Sequence, residues 1–354
     1  MPDKMVRRKT RTISIGNVKI GGTAPVSVQS MTNTDTRDVE ATVRQIKQLE
    51  RAGCEIIRIG IPDMEAAGRV GEIKEKISIP LIADIHFDCR LALKAIEQGV
   101  HALRINPGNI GKKDKVKAVV EAARGKGIPI RIGVNSGSLE KDLKKRYNSS
   151  IPEAMVESAM RHINILEDMD FHDIKISLKG SNVMETVEAY KIIADKVDYP
   201  LHIGITEAGT LFSGTIKSSL GLGILLYEGI GDTLRVSLSS DPVDEVRVGF
   251  EILKGLNLRQ RGVNIISCPT CSRQEIDVIH LAGDIEKRLL HITNPLSIAV
   301  MGCVVNGPGE AKNADIGITG GKGIATLYKR GRMIKKIKED KVLEVLVDEV
   351  ESMI

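Results

Sequence analysis

Tryptophan is absent from this 354-residue sequence, and aromatic side chains of all kinds make up only 3% of it. Proteins that bind single-stranded nucleic acid stack bases on exposed aromatic rings, so this composition argues against that role. No apolar run reaches the roughly 18 residues of a membrane helix, and the basic segment 1–12 is followed by no apolar stretch typical of an export signal. We therefore expect a cytoplasmic protein with neither a membrane nor a nucleic-acid partner.

Cysteine is scarce and odd in number, with residues at Cys54, Cys89, Cys268, Cys271 and Cys303. In a reducing compartment an odd set favours metal binding or redox chemistry over a disulfide framework. The formal net charge of +5 is modest for this length. It suffices for binding an anionic small molecule and is too small to indicate a nucleic-acid surface.

Eight short aliphatic runs alternate with segments of helical spacing through the first two thirds of the chain. They begin near Val26, Ile56, Leu81, Ala102, Ile130, Ile174, Leu201 and Leu234. This alternation is typical of parallel strands covered by helices, and eight such units predict an α/β protein with a (β/α)8 TIM barrel. An open doubly wound sheet is the alternative, because periodicity does not show closure. Residues 10–22 predict a hairpin that seals the amino-terminal mouth.

The pattern changes near residue 259, where a smaller α+β domain is expected to begin. We predict a barrel domain over residues 1–258 and a second domain over residues 259–354. The second domain is predicted to contain, in order, a strand that leads into a Cys-x-x-Cys loop, a helix, a strand that leads into a glycine-rich loop, a hairpin, and a final helix that starts near Lys335.

Polar and charged side chains stand at or just past the ends of the predicted barrel strands. They are Arg58, Asp84 with His86, Arg104 with Asn106, Asn135, Lys179, Glu207, and Ser237 with Asp241. The carboxyl ends of barrel strands converge on one face, where such folds carry their chemistry. With Arg131, the strand-end cations predict a diphosphate clamp, although each one alone is also explained as an ion-paired barrel residue. Glu207 and the Asp84 and His86 pair are candidate acids or bases, or simply partners of the arginines.

Three of the cysteines form a set that lacks a fourth thiol. Cys268 and Cys271 form a Cys-x-x-Cys pair, and Cys303 follows a later strand. His280 or His291 would complete a structural zinc site, whereas Glu310 would give an iron-sulfur cluster one easily displaced oxygen ligand. Unrelated buried or redox cysteines are the third alternative, and Cys54 and Cys89 are expected to pack inside the barrel.

Ten motifs along nearly the whole chain resemble the bacterial 4-hydroxy-3-methylbut-2-enyl diphosphate synthase family of the methylerythritol phosphate route to isoprenoids. In chain order they are VQSMTNTDTRD, RIGIPD, DIHFD, RINPGNIG, RIGVNSGSLE, SLKGS, GITEAGT, RVSLSSDP, SCPTC and GCVVNGPGE. So many long motifs in one order are far more specific than a single Cys-x-x-Cys pair.

The resemblance implies roles for individual residues and a cofactor. A [4Fe-4S] cluster would be held by Cys268, Cys271, Cys303 and Glu310. The substrate diphosphate would be bound by Arg58, Arg104, Asn106, Arg131, Asn135, Lys179 and Ser237. The carbon skeleton would lie near Asp84, His86 and Glu207, and the catalytic residues would be Glu207 and Glu310.

The activity that the resemblance implies is reductive ring opening and dehydration of 2-C-methyl-D-erythritol 2,4-cyclodiphosphate, giving 4-hydroxy-3-methylbut-2-enyl diphosphate. The implied partners are ferredoxin or flavodoxin as electron donor and a second copy of the chain in a homodimer. The alternative is a non-redox TIM-barrel transferase that binds a diphosphate and carries a structural zinc domain. An RNA-binding zinc module is a further alternative, which the lack of aromatic residues disfavours.

Overall fold

Eight parallel strands, preceded by a short hairpin, form the first of two structural units, which ends at Arg259. This computed structural model describes residues 6–147 and 150–354. The hairpin consists of β1 (Ile13–Ile15) and β2 (Val18–Ile20). The parallel strands are β3 (Ser27–Met31), β4 (Ile56–Gly60), β5 (Leu81–Asp84), β6 (Ala102–Arg104), β7 (Ile130–Asn135), β8 (Ile174–Lys179), β9 (His202–Ile203) and β10 (Thr233–Leu234).

Helices follow the strands and cover the outside of the sheet. They are α1 (Val39–Ala52), α2 (Met64–Glu75), α3 (Cys89–Glu97), α4 (Pro107–Ile110), α5 (Lys113–Lys126), α6 (Lys141–Arg146), α7 (Ile151–Glu167), α8 (Val183–Lys196), α9 (Leu211–Tyr227) and α10 (Pro242–Gly255). Helix α1 shows how the sequence sets their ends. The Asp38 carboxylate accepts a hydrogen bond from the amide of Ala41, and Gly53 ends the helix with a φ of 104°, a conformation that favours glycine.

The sheet closes into a barrel. Strand β3 pairs with β4 on one side and with β10 on the other, and an isolated bridge from Ile176 to Leu201 joins β8 to the β9 segment. The predicted (β/α)8 barrel is therefore confirmed, and the open doubly wound alternative is wrong. Strands β9 and β10 contain only two residues each, so the polar residues expected at their ends, Glu207 and Ser237, lie on the loops that follow.

The amino-terminal mouth of the barrel is covered by the hairpin. Ile13, Ile15 and Ile20 pack against the inward-facing Ile56 and Ile82 in one buried apolar cluster. Gly16 turns the hairpin with a φ of 55°. The opposite mouth, at the carboxyl ends of the strands, is left for the polar side chains.

The second unit, Gln260–Ile354, is built on a five-stranded mixed sheet. Its elements are β11 (Val263–Ser267), α11 (Val278–Arg288), β12 (Leu296–Met301), α12 (Gly307–Asn313), β13 (Ile316–Gly321), β14 (Ile324–Lys329), β15 (Arg332–Lys338) and α13 (Val342–Glu351). Strands β11 to β13 run parallel, and β14 and β15 are antiparallel to their neighbours. Helices α11 and α13 share the larger core, while α12 packs with a smaller apolar cluster.

Two local predictions for the second unit are wrong. The segment from Lys335 that was expected to open the final helix belongs to β15, an edge strand whose many lysines are a common protection against edge-to-edge association. The glycine-rich loop contains α12, which Pro308 starts within its first turn, as proline favours. Within the part of the chain that the structure describes, no helix combines the length and apolarity needed to cross a bilayer.

Candidate active site

The strand register sorts the inward-facing side chains of the barrel into layers. Each layer draws on alternate strands, because the strands of a closed barrel are tilted. Counting along the observed pairing, one layer contains Gln29, Ile82, Arg131 and His202, and the next layer toward the carboxyl ends contains Arg58, Arg104, Ser177 and Arg235. Asp84, Gly133 and Gly204 follow, with Lys179 above them. All four predicted diphosphate-binding cations therefore line one interior.

Asp84 lies between two arginines of neighbouring strands. Its Oδ1 is 3.2 Å from Nη1 of Arg104, and its Oδ2 is 3.6 Å from Nε of Arg58. Burial opposes ionisation of this carboxyl, but the charges of Arg58 and Arg104 outweigh it, and the pKa of Asp84 is lowered. Burial also lowers the pKa of Arg58 to about 10. Asp84 therefore orients both guanidinium groups and neutralises only part of their charge.

Arg104 is held by contacts on three sides. Its Nη1 also donates to Nε2 of His86 over 2.6 Å, and its Nη2 donates to the carbonyl of Gly133 over 2.8 Å. Because a guanidinium cannot accept a hydrogen bond, Nε2 of His86 must be the acceptor and the ring is neutral. Burial and the charge of Arg104 accordingly lower the pKa of His86, against the opposing field of Asp84. Asn106 exchanges two hydrogen bonds with the backbone of Gly133, of 2.9 and 3.0 Å.

Glycines make room for two of these cationic side chains. A methyl group on Gly133 would lie 2.5 Å from Nε of Arg104, and one on Gly204 would lie 2.5 Å from Nζ of Lys179. Real contacts of this kind are not that short, so any side chain at either position would displace the cation. The sequences IRIGVN and LHIGITE therefore each place a glycine beside a cationic side chain from another strand, at a position where any larger residue would occupy the space of that side chain.

Arg131 and Lys179 lack the compensation that Asp84 gives to Arg58 and Arg104. Neither forms an ion pair with any residue that the structure describes. Arg131 is 3% exposed, and its Nε and Nη1 have no hydrogen-bond partner within the described protein. Burial, followed by repulsion from neighbouring cations, lowers the pKa of both groups well below their ordinary values. These two cations are therefore left to be satisfied by a ligand.

The remaining predicted residues lie nearer the rim of the barrel. Asn135 ends β7 and accepts a hydrogen bond from the amide of Gly137 over 2.9 Å. Glu207 is exposed and has a φ of 52°, a left-handed conformation that is unfavourable for a glutamate and is often found at functional sites. Ser237 is half-buried on the loop after β10. The structure brings Asp84, His86 and Arg104 into direct contact, whereas no hydrogen bond or ion pair within the described part of the chain joins Asn135, Glu207 or Ser237 to that group.

Two basic residues of the interior were not predicted. Arg235 shares the layer of Arg58 and Arg104, and its Nε and Nη2 lie 3.3 Å from the carboxylate of the buried Glu245. Lys175 is 1% exposed and lies one layer below Arg131. The signal was present in the sequence, because Arg235 precedes the predicted Ser237 by two positions and Lys175 precedes the predicted Lys179 by four, so each faces the same side of its strand as the predicted residue.

The charge balance of the interior is strongly positive. The basic side chains are Arg58, Arg104, Arg131, Lys175, Lys179 and Arg235, and the carboxylates that form ion pairs with members of this set are Asp84 and Glu245. Burying charges without partners is costly, so such an excess favours binding of a multiply charged anion. Arginine forks match pairs of phosphate oxygens, which makes this interior suited to a diphosphate.

The three thiols of the second unit lie on loops at one edge of its sheet. Cys268 directly follows β11 and Cys303 follows the neighbouring parallel strand β12. Gly302 fastens the two loops together, because its amide donates to Sγ of Cys268 over 3.2 Å and its carbonyl accepts from the amide of Glu275 over 2.8 Å. Cys271 is exposed between these anchor points.

The other candidate ligands lie in different settings. Glu310 is exposed in the first turn of α12, not in the slack loop that the glycines suggested. His280 and His291 are exposed and lie close to Asp277 and Glu351, respectively. Cys54 and Cys89 are buried in the barrel unit, as expected.

No three side chains of His, Cys, Asp or Glu approach closely enough to hold a metal ion among residues 6–147 and 150–354. The donor set nevertheless fits an iron-sulfur cluster chemically, with three free thiols on loops that follow neighbouring strands and a carboxylate, Glu310, on the helix that follows Cys303 in the chain. The assignment of ligands to the cluster stays a prediction.

Comparison with known proteins covers both units. The family model described as GcpE TIM-barrel domain matches residues 10–250, and the one described as GcpE protein C-terminal domain matches residues 264–352. A relative from Caldanaerobacter subterraneus subsp. tengcongensis is 61% identical over 99% of this chain and 98% of its own length. One from Geobacter sulfurreducens is 60% identical over 99% of both. Both are named 4-hydroxy-3-methylbut-2-en-1-yl diphosphate synthase (flavodoxin).

Solved structures resemble the barrel unit at low identity. Dihydropteroate synthase from Yersinia pestis is 14% identical with a TM-score of 0.50, covering 70% of this chain and 97% of that one. The enzyme from Stenotrophomonas maltophilia is 15% identical with the same score, covering 66% and 93%. At such identity the likeness shows the fold alone, and it gives no support to the transferase alternative.

The family suggested by the ten motifs is thereby confirmed, as is the expectation of an enzyme. Both family models, and relatives matched over almost their entire lengths, assign this chain to the GcpE family of 4-hydroxy-3-methylbut-2-en-1-yl diphosphate synthases.

Proposed function

We propose that this chain catalyses reductive ring opening and dehydration of 2-C-methyl-D-erythritol 2,4-cyclodiphosphate to 4-hydroxy-3-methylbut-2-enyl diphosphate. Two electrons and two protons are consumed and one water is released. The observation that carries the proposal is the excess of buried cations inside the barrel, where Arg131 and Lys179 have no ion-pair partner among the described residues. A doubly charged cyclic diphosphate supplies the missing negative charge.

The barrel residues bind and orient the ring. Asp84 holds Arg58 and Arg104 in place before the substrate arrives, so little ordering is left to be done on binding. Arg131 below them offers the N–H groups of Nε and Nη1, which have no hydrogen-bond partner in the described protein, and Lys179 lies above without an ion-pair partner among the described residues. Asn106, Asn135 and Ser237 surround this group from the adjoining strand ends.

Two residues are proposed to face the carbon skeleton and its protons. His86 is neutral with its proton on Nδ1, because Arg104 donates to Nε2. Glu207 is held in a left-handed conformation at the rim, where an exposed carboxyl is available to give a proton to the departing oxygen. We assign the catalytic acid or base role to Glu207.

Cys268, Cys271 and Cys303, with Glu310 as the fourth ligand, would hold a [4Fe-4S] cluster. When bound, such a cluster would supply electrons one at a time, and the Glu310 carboxylate would be the most easily displaced of its four protein ligands. The contribution of the chain is to hold the thiols at one sheet edge through Gly302 and to place Glu310 on a short helix. A one-electron carrier is then required, and the relatives' name supports flavodoxin, with ferredoxin as the other candidate.

A homodimer in the cytoplasm is proposed for the working enzyme. Helix α9 presents a stripe of exposed apolar residues, Phe212, Ile216, Leu220 and Tyr227, on the side opposite its buried face. Phe212 is 81% exposed, and such a continuous stripe is typical of a surface covered by another protein.

If the dimer pairs the barrel of one copy with the thiols of the other, mixing a Glu207→Gln variant with a Cys303→Ser variant will restore part of the activity. No recovery would contradict sharing of the site.

Anaerobic purification followed by an absorption spectrum and iron and sulfide analysis tests the cofactor assignment. The proposal predicts broad visible absorbance and about four iron and four sulfide per chain. A colourless protein with stoichiometric zinc, whose activity ignores reductants, would instead support the transferase alternative.

A further inference from the structure

Lys175 lies beneath the cations of the barrel and makes no contact that explains its burial. It faces inward from β8, in the layer nearest the hairpin, and is 1% exposed. Its Nζ has no hydrogen-bond partner within the described protein. The opposite side of this layer is apolar, with Ile56 and Ala102 packed on the hairpin, so the lysine is confined to the polar half of the barrel floor.

The groups around Lys175 are mostly cationic or unpartnered. Arg131 is its register partner on β7, and the fields of Arg131 and Arg58 both disfavour a charge on the lysine. His202 from the β9 side is fully buried, with its Nε2 unpartnered. The one carboxylate whose field favours the charged lysine is Asp232, which is already bonded to Arg7 and to the amide of Leu201.

These surroundings determine the charge state of the lysine. Burial first, and then repulsion from Arg131 and Arg58, lowers the pKa of Lys175 well below its ordinary value. An ammonium group there would be desolvated and unpaired, so the uncharged amine is the favoured form until negative charge enters the interior.

We propose that Lys175 belongs to the anion site although it lies one layer beneath it. The lysine takes up one proton when a cyclic diphosphate binds against the arginines above it. The lysine does not touch the substrate. It acts through Arg131 as a positioning residue that adds a positive charge only when the anion is present. This inference rests on the proposed function, since it needs a diphosphate in the barrel.

The proposal predicts that replacing Lys175 weakens substrate binding without lowering the stability of the fold. A buried lysine without a partner destabilises the fold, and an apolar residue of similar shape often restores stability. Lys175→Met is therefore expected to unfold at the same or a higher temperature than the wild type. The same variant is expected to bind the cyclic diphosphate about tenfold more weakly, because one unit of linked pKa change equals a tenfold change in affinity.

Calorimetric titration of the full chain with 2-C-methyl-D-erythritol 2,4-cyclodiphosphate, without reductant, tests this. Each phosphorus of the ring carries only one strongly acidic hydroxyl, so protons exchanged near neutral pH come from the protein. Repeating the titration in buffers of different ionisation enthalpy gives the number of protons taken up. The wild type is expected to take up about one proton more than Lys175→Met. The exposed Lys196→Met variant is the matched control and is expected to behave as the wild type.

The outcomes are distinct. Equal proton uptake in the wild type and Lys175→Met would overturn the proposal, as would uptake that disappears in His86→Asn and persists in Lys175→Met. A lower unfolding temperature for Lys175→Met would show a structural role and also contradict it. Absence of any binding heat in the wild type would instead overturn the proposed function itself.

Discussion

Arg104 donates from one guanidinium to the carboxylate of Asp84 at 3.2 Å and to the carbonyl of Gly133 at 2.8 Å, so a side chain and a backbone group together fix its orientation. The arginine is thereby aimed along the interior before any ligand binds. Preorganisation of this kind reduces the entropy that binding must overcome. The predictions below test this arrangement and the thiol edge separately.

Removing the charge of Asp84 is expected to destabilise the fold. Asp84→Asn leaves two buried guanidinium groups without their shared carboxylate, which typically costs about 3 kcal/mol in the free energy of unfolding. Denaturant unfolding at pH 7 measures this change. The surface variant Asp142→Asn, which breaks an exposed pair with Arg161, is the control and is expected to change stability much less.

The stability difference between the wild type and Asp84→Asn is also expected to depend on pH. The pKa of Asp84 is lowered in the folded state, so its contribution is present above the unfolded pKa of about 4 and is lost as the pH falls through the folded value. The stability difference between the wild type and Asp84→Asn is therefore expected to be large at pH 7 and to shrink below pH 4. A difference that stays constant down to pH 3 would contradict the assigned ion pair.

Gly133→Ala is expected to damage the site while leaving the fold intact. The added methyl group would meet Nε of Arg104 at 2.5 Å, and a displacement of about 1 Å at a positioned group costs roughly a hundredfold in kcat/KM. Steady-state kinetics with the cyclic diphosphate measures the loss. Gly68→Ala in α2, where nothing lies within 4 Å, is the matched control, with unchanged kinetics and stability raised by about 0.5 to 1 kcal/mol. Normal kinetics for Gly133→Ala would show that Arg104 does not bind substrate.

Cys303→Ser is expected to abolish cluster binding. A serine hydroxyl is a poor ligand for iron compared with a thiolate, so iron and sulfide per chain and the visible absorbance should fall together. Cys89→Ser replaces a buried thiol of the barrel unit and is expected to keep both. Loss of iron from the Cys89 variant, with retention in the Cys303 variant, would show that the cluster is not bound by the thiols of the second unit.

A charge on the apolar stripe of α9 is expected to produce monomers. Phe212→Glu places a carboxylate on the surface proposed to pair two copies, and burying it there is costly. Analytical ultracentrifugation of the wild type and variant measures the assembly. Met333→Glu in the second unit alters another exposed apolar residue, with 61% of its surface accessible, and is expected to leave the dimer unchanged. A monomeric wild type would refute the proposed homodimer.

The barrel was predictable because its signals are local. Alternating apolar runs and helix caps such as Asp38 and Gly53 determine strands and helices from short segments, and strand ends of a barrel converge by geometry. The predicted cations Arg58, Arg104 and Arg131 consequently line one interior, as the alternation of side chains along each strand requires.

The residues and elements that were not predicted correctly also have physical explanations. Arg235 and Lys175 were overlooked because attention to strand ends ignores residues that enter the same interior two or four positions earlier. Strand β15 looked helical because its lysines and isoleucines lack strict alternation, and a bulge opposite Leu327 and Tyr328 disturbs its register. Helix α12 was hidden by its glycines, of which Gly307 is required by close packing, since a methyl group there would lie 2.6 Å from Thr319. Such long-range contacts are not visible in a local pattern.

Anaerobic conversion of 2-C-methyl-D-erythritol 2,4-cyclodiphosphate with reduced flavodoxin, quantified for both product and electrons, tests the central claim most directly. The account predicts 4-hydroxy-3-methylbut-2-enyl diphosphate as product, two electrons consumed for each molecule formed, and no product without reductant. Product formed without any electron consumption, or no conversion by iron-replete protein supplied with reduced flavodoxin, would contradict it.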